Sequence, residues 1–316
     1  MLKNLSYLGV IAVIGLSSCG GNKGGEAAEA LTGSVMIDGS STVYPISEAV
    51  AEEFRAEQPD VNVALGESGT GGGMKKFGRG EIDICDASRP IKDSEKAACD
   101  SAGIKYLELE IAYDGIAVMV NPKNTWVDKM TVAELKMIWE SAAQGKIKTW
   151  NQVRPEWPNS EIHLYSPGTA SGTYEYFTDV ICGKKGDSRG DINANEDDNT
   201  LVNGIAGDEG ALGYFGMAYY ENNTDKLKIV PIDNGSGGVI PTTETVLSKT
   251  YAPLSRPLYI YVNEASMAKP QVLAFVKYYM DNVETLSKEV GYVPLQSDIY
   301  TAMKEKLAAY NKPAAE

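Results

Sequence analysis

The sequence predicts an α/β protein of two lobes, each a mostly parallel sheet with helices on both faces. Three observations lead there. Short apolar runs alternate with stretches whose apolar residues recur at helical spacing. This strand, loop, helix scheme begins near residue 34 and starts afresh near residue 131. Two long apolar strands, 111–122 and 256–263, stand where a chain would cross between two halves. At 316 residues, 43% of them hydrophobic, the chain can bury a core in more than one domain.

The elements follow in order. "MLKNLSYLGVIAVIGLSSC" has an early lysine and an apolar run from Tyr7 to Leu16 too short to span a bilayer, so residues 1–18 read as an export signal. Its Leu16-Ser17-Ser18-Cys19 ending resembles a bacterial lipobox, which would make Cys19 the lipidated first residue of the mature protein. "GGNKGGEAAEALTG" continues as a flexible tether, 19–33. "SVMID" (34–38) is a strand, "GSSTVYP" a hydroxyl-rich loop, and "ISEAVAEEFRAEQ" a helix with Ile46, Val50 and Phe54 on one face. "VNVAL" (61–65) is the next strand, and "GESGTGGGMKKFGRG" a glycine-rich loop opening onto a short helix. "EIDICDASRP" ends a third strand in a loop, with Asp93 or Ser94 starting a helix.

After strand 111–122 comes "TVAELKMIWE", a helix with a capping box at Thr131 and Glu134. Residues 161–181 repeat the scheme of strand, small-residue loop and helix, with His163 packed inside the strand. "ALGYFG", "LKIVPI" and "TTETVLSKT" continue the second half, strand 256–263 crosses back, and two helices near the end can pack on either half. Lobe 1 is assigned to 34–117 and 256–316, and lobe 2 to 118–255.

Ligands of such sheets bind beyond the carboxyl ends of the strands. Four loops expected there share one composition: Ser40, Ser41 and Thr42; Ser68, Gly69, Thr70 and Gly71; Ser88 with Arg89; and Ser171, Gly172 and Thr173. A helix N-terminus carries unpaired N–H groups and partial positive charge, so three helix starts of this kind suit an anion. Serine and threonine also serve as plain caps and turn formers. Arg89 adds a bidentate fork fitted to phosphate or carboxylate.

A net charge of −14 argues against nucleic acid and against anionic lipid surfaces. It does not exclude an anion ligand, because exposed charges are screened beyond about 8 Å at physiological salt. His163 is the only histidine, and no nucleophile elbow is present, so a Ser-His-Asp hydrolase is not expected. "DINANEDDN" (191–199) places Glu196 and Val202 where a calcium loop needs glycine and glutamate. No Cys/His cluster suggests zinc, and "GTGGG" is neither a dinucleotide fingerprint nor a P-loop, so no metal and no cofactor are expected. Among Cys85, Cys99 and Cys182 at most one pair can form, and the short loop between Cys85 and Cys99 favours theirs.

"DGSSTVYPISEAVAEEF", "SGTGGGMKKFGRGEIDICDASRPI", "ELKMIWE", "GKIKTWN", "SGTYEYF" and "GALGYFGMAYY" together resemble the periplasmic phosphate-binding proteins of ABC phosphate importers, from about residue 34 to about 300. The resemblance implies a class II periplasmic binding fold that closes on inorganic phosphate and delivers it to an ABC permease. It further implies a monomer in the periplasm or at the cell surface, reaching the membrane only through a lipid anchor. Ser41, Thr42, Thr70, Ser171, Gly172 and Thr173 match the family's ligand positions. Two places depart from the family pattern. Arg89 stands where an aspartate follows the Ala-Ser pair, and Pro167 where an arginine precedes Ser-Gly-Thr. A carboxylate acceptor is what separates protonated phosphate from sulfate, and Asp86 and Glu67 are the substitutes expected from sequence. The rival expectations are a binder of another tetrahedral oxyanion such as sulfate, and a secreted phosphate-ester hydrolase.

Overall fold

The protein is represented by a computed structural model, which describes residues 31–195 and 197–310. The expected signal, Cys19 and most of the expected tether lie outside the described residues. Strand β1 (Gly33–Gly39) pairs in parallel with β2 (Val61–Gly66) and with β3 (Ile84–Ala87). Helix α1 (Tyr44–Glu57) buries Ile46, Val50 and Phe54, the face read from the sequence. Helices α2 (Thr70–Phe77) and α3 (Asp93–Ser101) follow β2 and β3.

Strand β4 (Tyr106–Val120) is longer than its apolar run and carries the chain out of this half. Next come β5 (Met130–Thr131) and α4 (Val132–Trp139), whose start is the expected capping box: the Glu134 amide donates to Thr131 Oγ1 (3.1 Å), and the Thr131 amide donates to Glu134 Oε2 (2.7 Å). The second parallel set is β6 (His163–Pro167), β7 (Asn193–Asn195) and β8 (Ala211–Gly216), with β6 in the middle. Helix α5 (Gly172–Phe177) leaves β6, α6 (Asp198–Gly207) precedes β8, and α7 (Met217–Glu221) follows it. Short strands β9 (Lys228–Ile229), β10 (Ile232–Asp233) and β11 (Gly238–Val239) and helix α8 (Thr243–Leu247) complete this half.

Strand β12 (Ser255–Asn263) returns antiparallel between β3 and β4, so the sheet order is β2-β1-β3-β12-β4-β8-β6-β7. Each parallel set is therefore joined through two antiparallel crossing strands. Along β4 the partner changes from β12 up to Gly115 to β8 from Ile116 onward. Helices α9 (Pro270–Glu289) and α10 (Ser297–Tyr310) pack on the first half, α9 against α1, β1 and β4, and α10 against α9.

Two sequence expectations are corrected. Cys85 and Cys99 are buried as free thiols rather than paired. They sit in the apolar cluster of α2, α3 and the sheet with Met74, Phe77 and Tyr261, and burial pushes both thiols up. His163 is not packed inside a strand. It is the first residue of β6, at the end away from the loops, exposed and bonded through Nδ1 to Asp208 Oδ2 at 2.7 Å. Its partial burial acts to lower its pKa, and the Asp208 and Glu161 carboxylates overcome that and raise it.

Candidate functional site

The parallel register brings the first three loops to one edge. Asp38 lies beside Gly66, and Gly39 beside Asp86, so β1, β2 and β3 end level with one another. The loop after β1 is pinned from both sides: the Ser40 amide donates to the Asp86 carbonyl (2.9 Å), and the Thr42 amide to Ser40 Oγ (3.2 Å). The loop after β2 is held by Asp38, whose Oδ1 accepts from the Ser68 amide (3.0 Å) and which also pairs with Lys76. The glycines of α2 serve packing. A Cβ on Gly73 would stand 2.6 Å from Gly39 Cα, so only glycine lets this helix rest on the end of β1. Thr70 Oγ1 then reaches the third loop, accepting from the Ser88 amide at 3.2 Å.

These loops wall a cavity of 430 Å³. Ser40, Ser41, Thr42, Ser68, Gly69, Thr70, Gly71, Ser88 and Arg89 line it from the first half, and Glu175, Tyr176, Asp179 and Lys185 from the second. Lys75 and Arg256 complete its cations. Four basic side chains, three loops of hydroxyls and the start of an eight-residue helix can hold an oxyanion by charge and N–H donation together.

Arg256 and Asp114 were missed by sequence reasoning. They face each other in the register of the crossing strands β12 and β4. Arg256 Nη2 donates to Thr42 Oγ1 (2.7 Å) and to Asp114 Oδ2 (3.1 Å), and the guanidinium lies over the Tyr176 ring at 3.7 Å. Burial raises the Asp114 pKa, and Arg256 opposes the rise. The signal was present, since both charges fall inside apolar crossing strands, where an unpaired charge is costly. Only the register says that they pair.

Arg89 lines the cavity, but its two terminal nitrogens each donate to Glu95 at 2.8 Å, and Nη1 also to the Pro90 carbonyl. Its charge reaches the cavity largely offset by that carboxylate. Neither carboxylate expected to accept a proton lines this cavity. Asp86 is buried beside Ser47, with no partner for Oδ1, and burial pushes its pKa up to about 7. The β pleat turns successive side chains to opposite faces, which separates Asp86 from the loop it anchors. Glu67 is exposed and lines a neighbouring cavity.

That neighbouring cavity, 540 Å³, shares Ser41 and holds Ser171, Gly172 and Thr173. Ser171 Oγ accepts from the Thr173 amide (3.2 Å), the plain capping role. Gly172 packs on the first loop, and a Cβ there would lie 2.7 Å from Thr42 Cα. The fourth loop therefore touches the first but stands outside the cation-lined cavity. Charged residues around this second space are Glu67, Asp114, Asp198 and Glu289, all acidic.

The PBP superfamily domain matches residues 24–283. Protein SphX of Synechococcus elongatus is 49% identical over 282 residues, covering 89% of this chain and 83% of that protein. The phosphate-binding protein PstS of Staphylococcus saprophyticus is 42% identical over 294 residues, covering 92% and 89%. A crystal structure described as a possible phosphate-binding protein from Planctomyces limnophilus superposes with a TM-score of 0.85 at 45% identity, covering 89% of this chain and all of that one.

Proposed function

The chain belongs to the PBP superfamily and to its PstS-type branch of solute-binding proteins, and from that membership we propose that it captures inorganic phosphate in the 430 Å³ cavity. One observation carries the reading. Four cationic side chains, from Lys75, Arg89, Lys185 and Arg256, converge on hydroxyl-rich loops in a chain that is acidic elsewhere. Thr70 and Ser88 supply hydroxyls, Gly69 and Gly71 expose backbone, Ser41 joins the two walls by donating its hydroxyl to Glu175, and Arg256 is the chief charge. Ser171, Gly172 and Thr173 take the closing contact against Thr42 rather than the floor of the cradle.

The lobes are 34–117 with 256–316, and 118–255. The exchange of strand partners at Gly115 and Ile116 supports a hinge there. Capture proceeds by lobe closure without chemistry, and the bound phosphate passes to an ABC permease. Cys19 carries the lipid that holds the monomer to the membrane in the periplasm or at the cell surface. Calorimetric titration of the purified protein with phosphate, sulfate and arsenate tests the assignment. Tight phosphate binding with weak sulfate binding is expected; equal binding of sulfate would overturn it.

A further inference from the structure

Hydrogen phosphate carries a proton that sulfate lacks at neutral pH, so a cradle of donors alone holds both. Discrimination needs an acceptor inside the cavity that meets the P–OH of one and the bare oxygen of the other. Asp86 is buried and does not line the cavity, and Glu67 lies in the acidic neighbour. Two carboxylates do line the cation-rich cavity, Glu175 and Asp179, and Asp179 is exposed.

Glu175 sits deeper, its side chain 28% exposed, on α5 of the second half. Its two oxygens are used unequally. Oε2 accepts from Ser41 Oγ across the cleft (2.8 Å), and Lys185 forms an ion pair with the carboxylate, its Nζ 2.5 Å from Oε2. Among the described residues the carboxylate's one hydrogen bond is to Oε2, and none is made to Oε1, although the residue lines a cavity otherwise rich in donors. Lys185 is placed by a short turn, where the Gly186 amide donates to Thr178 Oγ1 at 2.8 Å, and its amine reaches toward Gly69 on the opposite wall. The carboxylate is thus hydrogen-bonded through Oε2, and Oε1 keeps lone pairs for a donor in the cavity.

We propose that Glu175 is the specificity-determining residue of the site, Oε1 accepting the hydrogen bond from the hydroxyl of bound hydrogen phosphate while Oε2 stays fixed by Ser41 and Lys185. The proton remains on phosphate. Sulfate in the same pose would set a lone pair against Oε1 with no proton between them. The inference rests on the phosphate reading above.

The test is calorimetry of phosphate and sulfate on the full-length protein in detergent, in wild-type, Glu175→Gln, Glu175→Asp and Lys185→Met forms. In Glu175→Gln the amide can donate to sulfate, so the phosphate-to-sulfate affinity ratio should fall by about tenfold or more, as expected where an acceptor in a binding cavity is replaced by a donor. Glu175→Asp, which withdraws the oxygen by one methylene, should lower the ratio in the same direction and covers the case in which the glutamine form fails to fold. Lys185→Met removes a cation from the cavity and should weaken both anions. An unchanged ratio in both Glu175 variants would overturn the proposal. So would equal tightening of both anions, which would make the carboxylate a mere competitor for Ser41 and Lys185. A wild-type protein that binds sulfate as well as phosphate would instead fail the underlying phosphate reading, and the inference with it.

Discussion

Two cavities lie side by side at the cleft, share Ser41, and are built from the same small hydroxyl residues, yet their charges are opposite. One is lined by Lys75, Arg89, Lys185 and Arg256, the other by Glu67, Asp114, Asp198 and Glu289 without a lysine or arginine. Asp114 belongs to the wall between them, bonded to Arg256 on one side and lining the acidic space on the other. Serines, threonines and helix starts therefore do not by themselves choose an anion. Fixed cations distinguish the two cavities, and strand pairing decides where those cations stand.

The sharpest way to break the comparison is to remove the cation that organises the first cavity. Arg256→Ala should lower phosphate affinity by roughly a hundredfold in calorimetry, about 2.8 kcal/mol. It should also cost about 3–5 kcal/mol of stability in urea denaturation, because Asp114 is left buried without its partner. Adding Asp114→Asn should restore much of the stability and none of the affinity; affinity that survives Arg256→Ala would move the ligand out of this cavity.

A carboxylate that lies in neither cavity gives the next effect. Burial raises the Asp86 pKa from its ordinary 3.8 to about 7, so across that window the folded protein holds a proton that the unfolded chain has released. Stability should accordingly fall as pH rises from about 4 to about 7, by on the order of a few kcal/mol. Asp86→Asn should flatten this slope in denaturation curves at pH 5 and pH 8; an unaltered slope would assign it to other groups.

Arg89→Ala should weaken phosphate by about tenfold only, less than Arg256→Ala, since Glu95 already engages both terminal nitrogens and a charged hydrogen bond so shared is worth about 1–2 kcal/mol. A larger loss for Arg89 than for Arg256 would reverse the ranking of the two cations. Smallest of all, Glu67→Gln should change phosphate affinity by no more than about threefold, since an exposed charge in the adjoining space is screened beyond about 8 Å. A strong effect would mean that the two cavities act as one.

Much of the architecture was legible. The face of α1 with Ile46, Val50 and Phe54, the capping box at Thr131, and both crossing strands follow from periodicities and caps that act within a few residues. The first three loops were legible as partners because parallel strands must release their loops at a common edge. The unpaired thiols and the exposed His163 were not, because both depend on which residue lies opposite, which no local pattern encodes.

By its own order of residues the chain determined the alternation of strands and helices, the glycines that let α2 rest on β1, and an anion-friendly edge. Only the tertiary structure decided which charges face that edge. Arg256 and Asp114 are separated by 142 residues and meet through antiparallel register, and Glu175 reaches Ser41 over 134. Local sequence acts over a few bonds, whereas a binding site is made from groups that only the closed fold brings within hydrogen-bond distance.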